Sequence, residues 1–199
     1  MVTFSLAVFF LLITPGPGVL TTAGIGSGYG WSAGLRFLIG LFVGTNLVAL
    51  AVVSGLAAIL FSVPWLRTVL MVISIGYLLY LASRIAFSRR RIAFIESRKP
   101  LGMLNGVALQ VINPKAYAVN TALFSGFAFW PQSLLVETVI KFAVINAIWI
   151  PIHLLWLGAG VGLHRLNLTE RAQFLVNLGM ALAMVLVVAL TAWAAFAAR

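Results

Sequence analysis

The sequence predicts an all-α, polytopic membrane protein of six transmembrane helices, built as two inverted three-helix repeats with helices 1 and 4 broken at proline motifs. Three observations predict it. Hydrophobic residues make up 63% of the 199 and charged residues 8%, against roughly half and a quarter in a soluble chain. So little charge cannot coat a globule, which leaves the bilayer as solvent. Six apolar stretches reach the roughly 20 residues a helical span needs. Two proline motifs sit near mid-span, with Pro15 and Pro114 99 residues apart.

Composition also excludes whole classes of function. Cysteine is absent, which removes disulfides, thiolate metal sites and thiol relays. Aspartate is absent too, and the only acids are Glu96, Glu137 and Glu170. With two histidines besides, a multi-ligand metal centre lacks donors, and no cofactor is expected. The net charge of +10 does not form a basic stripe with interleaved aromatics on a polar domain, so nucleic acid is not an expected partner.

The spans fall at about 2–24, 35–61, 67–87, 101–126, 136–162 and 174–197. Span 1 lacks a basic leader and is interrupted by prolines rather than ended by a small-residue cleavage site, so it reads as a span and not a signal peptide. Gly26, Gly28, Gly30 and Ser32 form its connector to span 2. Span 2 carries Gly40-x-x-x-Gly44, a small-residue helix contact that suits packing within the chain before a dimer seam, and Asn46 near its centre. Ser62 and Pro64 lead to span 3, where Tyr77 and Tyr80 lie one turn apart and either line a cavity or pack. The basic connector Arg84, Arg89–Arg91, Arg98 and Lys99 follows. It divides the chain into 1–99, the first repeat plus this loop, and 100–199, the second. Span 4 holds Asn113-Pro114-Lys115-Ala116. After Pro131, Gln132 and Ser133, span 5 carries Glu137, Lys141, Asn146 and His153. Trp31, Trp65 and Trp130 near span ends read as interface anchors.

Connectors 1, 3 and 5 hold nine of the thirteen basic residues; the opposite face holds Arg67, Lys141 and Arg199. The positive-inside rule puts connector 3 in the cytoplasm and both termini outside.

Thr14-Pro15-Gly16-Pro17-Gly18 and Asn113-Pro114 each read as a helix start in the middle of a span: a capping residue, then proline at the first helical position. The prolines free the carbonyls of Leu11, Ile13 and Gln110. Irregular backbone at this depth is tolerated only where it is buried in protein or lines a wet cavity. Plain proline kinks are the bland alternative. Against them, Asn46 and Asn146 repeat at a spacing of 100. Three spans per half is an odd number, so the second half is inverted, as in secondary transporters with a midplane site. Open N–H groups at half-helix starts suit a carboxylate and freed carbonyls suit an ammonium group. A free amino acid supplies both.

The candidate substrate-binding residues are Thr14, Pro15, Gly16, Pro17, Asn46, Asn113, Pro114, Lys115 and Asn146. Lys115 is the only formal charge deep in a span, where a charge costs about 2.5–3.5 kcal/mol on insertion scales. It reads as a counter-charge for the substrate, as a proton carrier, or as a cap on freed half-helix carbonyls. Lys115, Glu137 and His153 are the candidates for proton coupling. For Glu137 the plain alternative is an interfacial ion pair with Lys141. For His153 it is a hydrogen-bonded structural role.

On Thr14-Pro15-Gly16-Pro17, Gly40 and Gly44, the run Gly76-Tyr77-Leu78-Leu79-Tyr80-Leu81 and Asn113-Pro114-Lys115-Ala116, the chain resembles the lysine exporter / homoserine–threonine exporter superfamily of bacterial inner-membrane proteins. The resemblance spans nearly the whole chain. It implies proton-driven export of amino acids or similar metabolites, often by homodimers, with Asn-Pro-Lys-Ala closer to the homoserine–threonine branch. Gly18 stands where the family motif often has asparagine or another polar residue, Thr45 and Asn46 occupy the stretch where some members carry an aspartate, and spans 1–4 offer no acid for a carboxylate relay.

The function expected is therefore secondary active export of homoserine/threonine-like or other small neutral amino acids across the bacterial inner membrane, by alternating access and not by enzymatic chemistry. The partners are the substrate, protons and membrane lipids. A metal-ion exporter of related fold needs clustered acids, histidines or thiols. A membrane-embedded lipid-modifying enzyme or flippase needs a nucleophile–base set or a metal. Neither set is evident in the sequence.

Overall fold

The computed structural model describes residues 1–14, 16–56 and 100–165, with scattered positions between 62 and 83 and between 169 and 189. Pro15, the basic connector 84–99 and most of expected spans 3 and 6 lie outside the described residues. The helices are α1 (Val2–Ile13), α2 (Pro17–Val53), α3 (Met103–Ile112), α4 (Pro114–Ser125) and α5 (Leu134–Arg165), with no strand among the described residues.

Expected span 1 is two helices. Thr14 (φ −59°, ψ 124°) and Gly16 (φ −155°, ψ 176°) are both extended, as a following proline demands. This moves the second helix start from Pro15 to Pro17, with Gly16 as its N-cap. Thr14 therefore does not cap that helix, as its residue type predicts. It closes α1, its hydroxyl donating to the Phe10 carbonyl at 2.6 Å.

Within α2 the chain reverses at Gly30 (φ 78°, ψ −171°), a conformation open to glycine and strained for other residues. A Cβ on Gly18 would lie 3.3 Å from Leu41 Cδ2, whereas a straight helix would hold the two about 35 Å apart. The expected connector over Gly26, Gly28, Gly30 and Ser32 thus shrinks to one residue. Gly26 stays helical because α5 packs against it: a Cβ there would sit 2.9 Å from the Leu157 carbonyl. The second arm ends at Val53 rather than near 61. Ser54 and Gly55 donate back to the Leu50 and Val52 carbonyls at 2.9 and 3.1 Å, with Gly55 at φ 77°. Residues 31–53 still reach about 35 Å, enough for a hydrocarbon core of about 30 Å.

Expected span 4 is α3 and α4, separated by Asn113 (φ −81°, ψ 108°). Expected span 5 is α5, with Pro151 inside it. The second arm of α2 and Leu134–Leu163 are long and apolar enough to cross a membrane. Large apolar side chains face outwards, with Leu104 83% and Leu134 81% exposed, a pattern that suits lipid and not water.

α2 packs on α3 and α5 at van der Waals distance between backbones. A Cβ on Gly40 would lie 1.8 Å from the Met103 carbonyl, one on Gly106 2.3 Å from the Phe37 carbonyl, and one on Gly160 2.1 Å from the Ala23 carbonyl. The Gly40-x-x-x-Gly44 contact therefore lies within the chain. Two apolar clusters result. Phe37, Leu41, Leu109, Trp149 and Leu157 join α2, α3 and α5. Phe4, Val8, Leu123 and Ile145 join α1, α4 and α5. The two helix breaks lie between them.

Candidate functional site

A cavity of about 60 Å³ lies between the breaks. Thr14, Gly16 and Pro17 line it from the first break and Asn113 and Lys115 from the second, with His153 reaching in from α5. Gly18, Val19, Thr45, Gln110, Asn120 and Trp149 also face it, and Leu11, Leu12 and Val119 supply an apolar wall.

A directed chain of hydrogen bonds holds the second break. Asn113 Oδ1 accepts from the Lys115 backbone N–H at 3.1 Å. An N–H can only donate, so this bond orients the Asn113 amide. Its Nδ2 then donates to Gln110 Oε1 at 3.0 Å, and Gln110 Nε2 donates to Thr45 Oγ1. The break in span 4 is thereby tied to the second arm of α2.

Lys115 joins the two breaks. Its Nζ donates to the Thr14 carbonyl at 2.8 Å, placing a cation at the negative end of the α1 dipole. Gly16 leaves it room, since a Cβ there would lie 3.0 Å from Nζ and 3.1 Å from Cδ.

The half-helix ends are less alike than their sequences. At α4 the Asn113 side chain caps the Lys115 N–H. At α2 the N-cap is Gly16, which has no side chain to offer, and Gly18 and Val19 line the cavity. Side-chain capping thus closes one helix start and leaves the other without it, where two open starts are expected from sequence. The Gln110 carbonyl, expected to be free for an ammonium group, accepts from the Asn113 N–H at 3.1 Å.

The remaining expected site residues divide. Pro114 occupies the first position of α4 and Pro15 lies outside the described residues. Asn46 and Asn146 do not line the cavity; they bond each other reciprocally, at 3.2 and 2.9 Å. His153 is buried in the cavity wall, with Nδ1 2.9 Å from the Trp149 carbonyl. Gln110, Thr45, Asn120 and Trp149 are cavity residues that sequence reasoning left out. Gln110, Asn113 and Asn120 follow one another at +3 and +7, one helical face of a mostly apolar stretch, and that polar stripe is the signal available in the sequence.

Glu137 lies away from the cavity. Its carboxylate bonds Lys141 at 2.8 Å and accepts the Phe129 and Trp130 N–H groups at 3.0 and 2.7 Å. Lys141 donates in turn to the Phe124 and Phe127 carbonyls. The pair exists as expected; it lies in the first turns of α5, is buried in protein, and clamps the α4–α5 turn. Lys141→Met is expected to lower the detergent melting temperature more than Glu137→Gln. The methionine leaves two carbonyls without their donor and a carboxylate without its cation, while the glutamine still accepts from the turn. The Glu137→Gln/Lys141→Met double variant is expected to melt above Lys141→Met alone. Additive losses in the double variant would show that the two residues do not act as a pair.

A model of the LysE type translocator family matches residues 9–193. The chain is similar to a leucine efflux protein of Enterobacter sp. (strain 638), 26% identical over 130 residues, which is 63% of this chain and 62% of the relative. It is also similar to leucine efflux proteins of Salmonella choleraesuis and Salmonella typhi, each 27% identical over 131 residues, 63% of this chain and 61% of theirs. The match thus spans less than two thirds of these relatives' own length. No solved structure matches the chain.

Proposed function

The chain belongs to the LysE type translocator family, and on that premise we propose that it is a secondary active exporter of neutral amino acids in a bacterial inner membrane, coupled to protons, with both termini outside. The observation that carries this reading is the cavity in which one hydrogen bond, Lys115 Nζ to Thr14 O, links two broken helices. The substrate carboxylate takes Lys115 Nζ and the Gly18 and Val19 amides at the α2 start. The side chain lies along Leu11, Leu12 and Val119. That wall and the names of the relatives favour a leucine-like cargo over a threonine-like one.

Alternating access by two inverted repeats explains why the breaks meet. The reading is supported by the Asn46–Asn146 pair, whose members are 100 residues apart and bond each other. Two positions equivalent under a two-fold operation touch each other only beside its axis. At about 60 Å³ the cavity has room for a few waters, which a bound substrate displaces. Binding exchanges the Thr14 carbonyl on Lys115 for the substrate carboxylate, which couples occupancy to separation of the breaks.

The test is uptake of labelled leucine, threonine and lysine into inside-out vesicles carrying the protein. Leucine is expected to accumulate under an imposed proton gradient and to leak out when the gradient is collapsed. Uptake equal to that of empty vesicles for every neutral amino acid would overturn the reading.

A further inference from the structure

We infer that His153 Nε2 and Asn120 Oδ1 receive the substrate's ammonium group, and so select amino acids over carboxylic acids of the same side chain that lack the amine; this rests on the export reading above. Both residues are more than nine-tenths buried, His153 at 4% and Asn120 at 4% exposure, and both line the cavity.

Their free atoms follow from the bonds already made. His153 Nδ1 lies 2.9 Å from the Trp149 carbonyl. A carbonyl only accepts, so Nδ1 carries the proton. The ring is buried with no carboxylate in the cavity lining, where a second proton would be an unpaired buried charge. The neutral ring therefore presents a lone pair at Nε2. The ring is also stacked on the Trp149 indole, with centroids 3.6 Å apart and planes 14° from parallel. One bond and one stack hold its orientation. Asn120 Nδ2 donates to the Ala116 carbonyl at 2.8 Å, which leaves Oδ1 as the acceptor. Among the described residues no bond is made to Nε2 or to Oδ1, yet no fully enclosed side-chain nitrogen or oxygen lacks a partner. Both atoms therefore face open space, and the space these residues line is the cavity.

The side-chain acceptors of the second break and one carbonyl of the first are engaged. Asn113 Oδ1 takes the Lys115 N–H, Gln110 Oε1 takes Asn113 Nδ2, and the Thr14 carbonyl takes Lys115 Nζ. The cavity thus offers donors at Lys115 and the α2 start, and open acceptors at His153 and Asn120. An α-ammonium carboxylate has the complementary charges. A carboxylic acid without the amine leaves both acceptors unpaired in a buried site, which binding does not tolerate well.

The experiment is competition against labelled leucine uptake into inside-out vesicles, using unlabelled leucine and 4-methylpentanoate, which keeps the side chain and carboxylate and lacks the amine. In the unmodified protein leucine is expected to compete about ten- to hundredfold better. His153→Phe and Asn120→Leu are expected to weaken leucine while leaving 4-methylpentanoate nearly unchanged, so the ratio falls towards one. His153→Gln and Asn120→Asp retain an acceptor and are expected to keep part of the ratio. A merely structural role would weaken both competitors together, and that result overturns the assignment. Equal competition in the unmodified protein overturns it without any variant. Absence of leucine uptake from the outset is a different failure, that of the export reading, and removes this inference with it.

Discussion

Gly40→Ala is expected to be among the most destabilising single substitutions in the chain, and Gly40→Val to prevent accumulation in the membrane. The added Cβ would sit 1.8 Å from the Met103 carbonyl and within 2.8 Å of Met103 C and Cα. These are backbone atoms, so no rotamer change relieves the contact and α3 itself must move. Overpacking costs about 1–3 kcal/mol, and more where backbone shifts; the roughly 1 kcal/mol that alanine gains over glycine as a helix former does not offset it. Gly162→Ala is the control. Nothing lies within 4 Å of a Cβ there, so melting is expected to stay level or rise slightly. Detergent melting curves of the two variants check both. Equal stability would mean that α2 and α3 do not touch through these glycines.

Lys115→Met is expected to leave the protein folded and remove most transport. Its Nζ makes one bond, to the Thr14 carbonyl, and the variant no longer carries a charge into the span, so stability falls little. If Lys115 receives the substrate carboxylate, affinity falls by about 1.5–3 kcal/mol, roughly ten- to hundredfold. Lys115→Arg is expected to recover little. The guanidinium fork is wider than an ammonium and cannot release its proton, and Gly16 already lies against the lysine stem. Vesicle uptake with parallel melting curves separates these effects. Full transport by the methionine variant would remove Lys115 from the site, while loss of folding with good rescue by arginine would make it a cap alone.

The breaks at the proline motifs, the buried lysine and the repeated asparagines were legible in the sequence because each is a local exception in an apolar chain. What decides between similar residues was not. Thr14 and Asn113 both look like caps, yet two successive pre-proline restrictions turn Thr14 into the end of α1, while Asn113, with a single proline after it, caps α4. Gly26, Gly28 and Gly30 look equally able to turn. Only Gly30 takes the left-handed backbone, and close packing on α5 keeps Gly26 helical. The roles of Gln110 and Thr45 depend on a bond across 65 residues, and no window along the chain contains both.

On the inverted-repeat reading, the Asn46–Asn146 pair has a consequence for the energetics of the cycle. Interchanging the repeats converts the inward-open state into the outward-open one, and every contact off the axis is replaced by its counterpart. A contact on the axis maps onto itself. The asparagine pair is then present with the same geometry in both states, and its energy cancels from the difference between them. A primary amide is suited to that position because it is both donor and acceptor and so is complementary to its own copy; a lysine or a carboxylate facing its own copy would repel it. The pair holds the two halves together without favouring either direction of opening, and that bias is left to contacts such as Lys115 with Thr14, which join unlike positions.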